Sequence, residues 1–397
     1  MNELFIQAAP VIKKIEDAGY EAYFVGGAVR DWLLGRDIND VDIASSATPS
    51  ELKEIFHKTV DVGIEHGTIL VLYSGTAFEV TTFRTESDYA DYRRPDRVTF
   101  IRSLEEDLRR RDFTMNAIAM DRNGHLIDPF GGCKAIKEKR IETVGSPDER
   151  FQEDALRLLR AIRFAGQLGF QIQKDTVEAM RMHASLLSHI AAERITAETT
   201  KLFAGMHKKK AFRLMVATGL NQYLPSMLNE NETLKKCLDL DIDDLDEMQT
   251  WLLMIALSNP SKPLESLRKW KLPSRKMKSI LNQLSWLRHR SHENWSKFTL
   301  YQAGKEAAAT VEMVYHTLSG NQADSSVKAI LKEYESLPIT SRKELAVTGN
   351  DLAEWCGKPG GPWMKDLLGQ IEQAVINEDA ANDREDIRKW LAWNRHP

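Results

Sequence analysis

The feature that most restricts this chain is a change of hydrophobic period near residue 130. Up to that point short apolar runs at strand spacing alternate with brief helical patterns; from about residue 136 the spacing is helical almost to the end. Strands confined to the first third cannot wind a repeating βα domain along the whole length. The pattern predicts an α/β head followed by a long helical remainder. At 397 residues the chain exceeds one small core, so several domains are expected.

Within the head, "EAYFVGGAVRDWLLG" predicts a strand, a turn at Gly26-Gly27 and a helix, and "NDVDIASS" predicts a second strand. "ATPSELKEIF" opens a helix with Thr48 as N-cap, Pro49 at the first helical position and Glu51 closing a capping box. "TILVLYSGTAFEVTTFR" is two β-rich runs around Ser74-Gly75-Thr76, and Asn123-Gly124 marks a second tight turn. Later helices break at "VGSPDE", "LSNPSKP", "KLPSR" and "GKPGGP".

Composition narrows the function classes. Cys133, Cys237 and Cys356 lie far apart and form no CxxC pair, so neither a disulfide framework nor a zinc site is readable. The net charge of −4 is no chain-wide basic signature, and any nucleic-acid contact must come from local patches. The first twenty residues lack a signal pattern and no apolar run can span a bilayer, so a cytoplasmic protein without membrane contact is expected. "DLDIDDLDE" lacks the glycine of a calcium loop and carries Thr250 where the closing glutamate belongs; it reads as a solvated acidic turn.

Asp40 and Asp42 stand two apart on a predicted strand and would project from one face. Like charges that close are unfavourable unless a cation lies between them, and hard oxygens favour Mg²⁺. A solvated strand end is the plainer reading of that pair alone. Gly26 and Gly27 offer backbone N–H groups to phosphate oxygens, with Arg30 one helical turn further on, although plain loop geometry also needs such glycines. Glu79, between core-facing Phe78 and Val80, falls on the opposite face, either beside the aspartates or simply at the surface. "RFQEDALRLLRAIRFA", residues 150–165, predicts one helix with an apolar stripe and, on its other side, Asp154, Arg157, Arg160 and Arg163. Arginines three apart repel one another, so that face needs partners or solvent.

Together these features resemble the nucleotidyltransferase head of the polymerase-β superfamily. More closely, "FVGGAVRDWLLG", "DVDIA", "RRRDFTMNAIAM" and "FQEDALRLLRAIRFA" resemble, in that order, the signature segments of class II tRNA nucleotidyltransferases. These are the CCA-adding enzymes, with bacterial poly(A) polymerases as close relatives. The resemblance implies an α+β chain: a polymerase-β-like head with a mixed β-sheet in residues 1–145, then an elongated all-α neck (146–205, nucleobase recognition), body (206–300) and tail (301–397), the last two binding tRNA.

By the same resemblance, Asp40 and Asp42 hold two Mg²⁺ ions and Glu79 is a third acid of the catalytic set. Gly27 and Arg30 match triphosphate-binding positions, and Arg111 matches a ribose and phosphate contact, in a segment shaped by Asp112 and Asn116. The family's base-selecting EDxxR motif falls on Glu153 to Arg157. A carboxylate at Asp154 beside a guanidinium at Arg157 would accept the amine-donor, ring-nitrogen-acceptor edge that cytosine and adenine share and reject uracil and guanine. Arg160 and Arg163 would hold phosphate or steady Asp154. The segment "ESDYADYRRPDRVTF" resembles the flexible loop associated with switching from C to A addition. "HKKKAFR", "LRKWKLPSRKMK" and "WLRHR", near Trp270 and Trp286, are candidate tRNA contacts or solvated helix faces.

The implied activity is template-independent addition of CMP, CMP and AMP from CTP and ATP to the 3′ end of tRNA, with release of pyrophosphate. Members of the family often form homodimers. The nearest rivals are a poly(A) polymerase or an enzyme adding part of the CCA end. From another class, a noncatalytic RNA-binding protein with a retired head is the alternative.

Overall fold

A computed structural model describes residues 2–87 and 97–394. The chain divides into two units, residues 1–234 with 269–271, and residues 235–268 with 272–397.

The first unit starts with helix α1 (Glu3–Asp17), whose N-cap Asn2 accepts the Leu4 N–H at 2.9 Å. Its buried stripe of Phe5, Ala8, Val11, Ile12 and Ile15 has helical spacing and lies against the sheet, with the Phe5 and Phe24 rings 4.8 Å apart. The following elements are β1 (Ala22–Val25), α2 (Gly27–Leu33), β2 (Asp42–Ser45), α3 (Pro49–Ile55), β3 (Thr59–Gly63), β4 (Thr68–Tyr73) and β5 (Thr76–Thr82). After them come β6 (Arg84–Ser87), β7 (Arg97–Phe100), α4 (Leu104–Arg109), β8 (Ala119–Met120) and β9 (Leu126–Ile127). Seven strands form one sheet in the order β3-β4-β5-β2-β1-β8-β9. Only the β2–β5 pair is parallel, so the sheet is mixed as expected. The β6–β7 ribbon stands apart, and most of the predicted C-to-A switching loop, residues 88–96, lies outside the described residues.

Local signals are realised where they were expected. Thr48 and Glu51 exchange both bonds of the capping box, with Pro49 at the start of α3. The β4–β5 turn puts Ser74 and Gly75 at φ 50° and 84°, the pair of positive values that a two-residue hairpin requires.

Helices α5 (Gly132–Lys137), α6 (Pro147–Glu153), α7 (Leu156–Leu168), α8 (Lys174–His183), α9 (Ala192–Phe203) and α10 (Lys208–Thr218) complete most of this unit, with a two-residue parallel pair, Arg140–Ile141 and Gln171–Ile172. α7 buries Leu158, Leu159, Ala161, Ile162 and Ala165 against α9 and α10. Gly166 permits that approach, since a Cβ there would stand 2.6 Å from a Leu202 methyl.

Two expectations are corrected. Residues 150–165 do not form one helix: Asp154 takes an extended conformation, φ −140° and ψ 102°, between α6 and α7. Asp40 lies before β2 rather than on it, so the two aspartates do not share a strand.

In the second unit, helices Glu247–Ser258, Ser274–Arg290 and Lys305–Leu318 pack on one another and bury Trp251, Leu284 and Val311. Helices Gly349–Cys356, Trp363–Ile376 and Arg384–Asn394 close a second core around Leu352, Ile371, Val375 and Ile387. The acidic turn near residue 240 ends in a structural device: Asp246 caps the helix Glu247–Ser258 in a capping box with Gln249. Among the described residues no helix is long and apolar enough to cross a membrane.

Candidate active site

Parallel pairing of β2 with β5 sets Asp42 opposite Glu79. Phe78 and Val80 are buried, so alternation sends Glu79 to the open face that Asp42 also occupies. Asp40 and Glu79 are both close enough to act on the Asp42 carboxyl. Desolvation by the surrounding protein raises it, the two negative neighbours raise it further, and Arg111 opposes them. Among the described residues no hydrogen bond or ion pair ties up Asp40, Asp42 or Glu79. A like-charged set left in this state is a cation site in its electrostatics.

Gly26 ends β1 with φ 74° and ψ −136°, a conformation that glycine alone adopts readily. A Cβ at that position would lie 3.2 Å from Nη1 of Arg111 and 3.5 Å from Oδ2 of Asp42. Turn, guanidinium and carboxylate therefore meet within a few ångströms. Arg111 makes only long bonds, 3.4 Å to Asp107 and 3.4 Å to the Asn116 carbonyl, and its Nε is buried with no partner. Burial lowers its hold on the proton, and the Asp107 carboxylate works against that. An anion arriving beside Gly26 would supply what this guanidinium lacks.

Arg30 is differently employed. It donates to Asp31 at 2.9 and 2.8 Å and to Asn116 at 2.6 Å, and lies 5.0 Å from the Phe164 ring. Its proposed share in a phosphate site is not visible in this arrangement, while Gly27 stands beside Gly26 as expected.

The arginines of α7 face protein carboxylates. Arg160 binds Asp112 through Nε at 2.7 Å and Nη2 at 2.6 Å, and approaches Glu198 at 3.6 Å. Arg163 binds Glu198 at 2.5 Å and Gln167 at 2.8 Å. Arg157 donates to Glu153 and to the carbonyls of Arg150 and Arg110. Phe164 lies beneath the guanidiniums of Arg30, Arg160 and Arg163, the last only 3.8 Å from the ring centre. Burial alone would raise the Asp112 carboxyl; Arg160, Asn116 and Arg157 hold it down to about 2.

Asp154 accepts from Arg194 at 2.7 Å and from the Leu156 N–H at 3.1 Å. Asp154 and Arg157, expected to read a base edge side by side, are not bonded to one another; each has other protein partners. The sequence reading did not single out Asp107, Phe164, Arg194 or Glu198. Arg194 and Glu198 lie four apart on α9, a spacing that puts both on one face, but nothing local says that this face meets α7.

The candidate RNA-contacting clusters are partly consumed by the fold. Trp270 is fully buried and donates to the Ser226 carbonyl at 2.8 Å, so it cannot stack on a base. Lys208 bonds the Gly205 carbonyl, Lys210 the Gly169 carbonyl, and Lys276 pairs with Glu247.

Carboxylates kept free of partners beside an anion-seeking arginine and a glycine turn suit the transfer of a nucleotidyl group, in which phosphate must be held next to hard oxygen ligands. Fold and site thus define a nucleotidyltransferase. Residues 22–142 match the poly A polymerase head domain, 169–230 the probable RNA and SrmB-binding site of polymerase A, and 245–391 the putative tRNA nucleotidyltransferase domain 2. The chain is 48% identical to the CCA-adding enzyme of Geobacillus sp. (strain WCH70), over 98% of this chain and 97% of the relative. It is 47% identical to that of Geobacillus thermodenitrificans over the same shares. The crystal structure of the Bacillus stearothermophilus CCA-adding enzyme in complex with CTP superposes with a TM-score of 0.86 at 43% identity, covering 99% of this chain and 98% of the other. The chain belongs to the CCA-adding enzyme family, and its activity is CCA addition by nucleotidyl transfer.

Nucleotidyltransferases of this type use divalent metal ions. Among the described residues no group of three or more His, Cys, Asp or Glu side chains is gathered as a ready metal cage. Asp40 and Asp42 fit the alternative, a site of one or two carboxylates that substrate phosphates complete.

Proposed function

We propose that this chain adds CMP, CMP and AMP in turn to the 3′ end of tRNA, using CTP and ATP and releasing pyrophosphate each time. The observation that carries the reading is the meeting of Gly26, Arg111 and Asp42, with Asp42 in register with Glu79. CTP in the Bacillus stearothermophilus relative supports the same substrate class here.

Asp40 and Asp42 would hold Mg²⁺, which when bound lowers the pKa of an RNA 3′-hydroxyl and neutralises charge on the departing pyrophosphate. Glu79 deepens the negative potential there. The Gly26-Gly27 turn and Arg111 orient the triphosphate and offset its charge. Asp154 uses two of roughly four acceptor positions on Arg194 and the Leu156 N–H, leaving capacity for an exocyclic amine. Arg157 would complete the base edge by exchanging its Glu153 contact for the ring nitrogen. Arg160 and Arg163 brace this region through Asp112 and Glu198 rather than touching phosphate. Residues 146–205 would serve as the neck, with 206–300 and 301–397 as body and tail on the tRNA, and the work would take place in the cytoplasm.

Incubation with tRNA lacking its CCA end, Mg²⁺ and each labelled nucleotide tests the activity. Two C and one A followed by arrest is the expected product; long A tracts would mean a poly(A) polymerase. For the base edge, Asp154→Ala should lower discrimination against UTP and GTP by about tenfold or more, the cost of one unpaired polar edge. Unchanged selectivity in single-turnover assays with four nucleotides would remove Asp154 from that role.

A further inference from the structure

An exposed apolar surface continues directly from the carboxylates. Cross-strand partners share a face of the sheet, and the register runs Asp42, Glu79, Leu70, Val60 across β2, β5, β4 and β3. At the usual strand separation this row spans about 14 Å, the reach of about four stacked nucleotides. Beside it, Leu72 is paired with Ala77, and Val60, Val62 and Leu72 are 46%, 54% and 41% exposed. The opposite face holds the core residues Ile69, Val71, Phe78 and Val80. Thr68 and Thr81, in the next row, hydrogen-bond to one another at 3.0 Å. This row therefore turns apolar immediately beyond Glu79.

The two substrates must approach the reacting phosphorus from opposite sides, because the attacking and leaving oxygens stand in line. On the reading given above, Gly26 and Arg111 take the triphosphate on the β1 side of Asp42. The RNA terminus is left the β5–β4–β3 side. That terminus changes during the reaction, from the unextended end to C and then to a second C. A surface that held it by hydrogen bonds to base edges would favour one of these, whereas apolar contact with sugars and base faces accepts them all.

We propose that Val60, Val62, Leu70 and Leu72 form a sequence-indifferent platform for the terminal nucleosides of the acceptor RNA. These side chains are positioning residues: they place the 3′-hydroxyl before the Asp42 carboxylate without reading a base.

The test uses the full chain with Val62→Glu and Leu72→Glu made separately, each at an exposed position, and Leu72→Met as the conservative control. KM is measured for truncated tRNA and for a short acceptor-stem minihelix, alongside CTP affinity by calorimetry and the thermal midpoint. The expected result is a KM raised about tenfold or more for both acceptors by each glutamate, with CTP affinity and midpoint retained and Leu72→Met near wild type. Unchanged acceptor KM in folded variants would overturn the proposal, as would a defect confined to full-length tRNA. Dissociation of a dimer with KM unchanged would assign the patch to a second copy of the chain instead. Asp42→Asn separates this from the underlying site: if that variant remains fully active, the site reading fails rather than the platform.

Discussion

The carboxylates of the sheet and the guanidiniums of α7 lie in the same unit and are treated in opposite ways. Asp40, Asp42 and Glu79 crowd like charge onto an open face with no bond among the described residues to relieve it. Arg157, Arg160 and Arg163 are each matched to a carboxylate, two of the three being more than nine-tenths buried. Both sets looked like electrostatic costs in the sequence. Only the first retains its cost in the fold, as a site proposed to receive cations should. In the second, Arg160 and Arg163 act as a brace, while Arg157, with Arg111 and Asp154, belongs to the groups proposed to face a nucleotide.

Removing one carboxylate from each set should separate the two behaviours. Asp42→Asn is expected to reduce single-turnover addition by about 1000-fold or more, while the thermal midpoint holds or rises because repulsion from Asp40 and Glu79 is relieved. A clear fall in midpoint would mean that Asp42 supports the fold and would collapse the contrast. Glu198→Ala should act in reverse, costing about 3 kcal/mol of stability because Arg163 is left buried without its carboxylate. Denaturant unfolding reads this directly, and a stability within error of wild type would show that the brace is dispensable.

Acid provides the gentlest probe. The Asp112 carboxyl is held at about 2 in the folded chain, below its ordinary value, so its stabilisation is complete above about pH 4 and fades as pH falls through 2. The size is about 2 kcal/mol. Asp112→Asn should flatten the stability profile between pH 4 and 2; an unaltered profile would move the acid sensitivity to other groups.

Short-range features were readable before the fold was known. The α3 capping box, the Ser74-Gly75 turn and the outward alternation of Glu79 each depend on residues within a few positions, and sterics and hydrogen bonding settle them locally. The break at Asp154 escaped notice because periodicity continues across it, with apolar residues on both sides at helical spacing. The burial of Trp270 escaped for a related reason: a tryptophan among lysines has the same local pattern whether it stacks on RNA or fills a core.

The sequence by itself determined the order of elements, the mixed head, the helical remainder and which residue types could carry phosphate chemistry. Tertiary structure alone decided which charges are spent. Arg30 meets Asn116 across 86 positions, Arg160 meets Asp112 across 48, and Asp154 meets Arg194 across 40. An arginine face has one pattern whether solvent, phosphate or carboxylate stands before it. The answer comes from the element that packs there, and packing is fixed by the whole chain's burial of apolar surface rather than by local spacing.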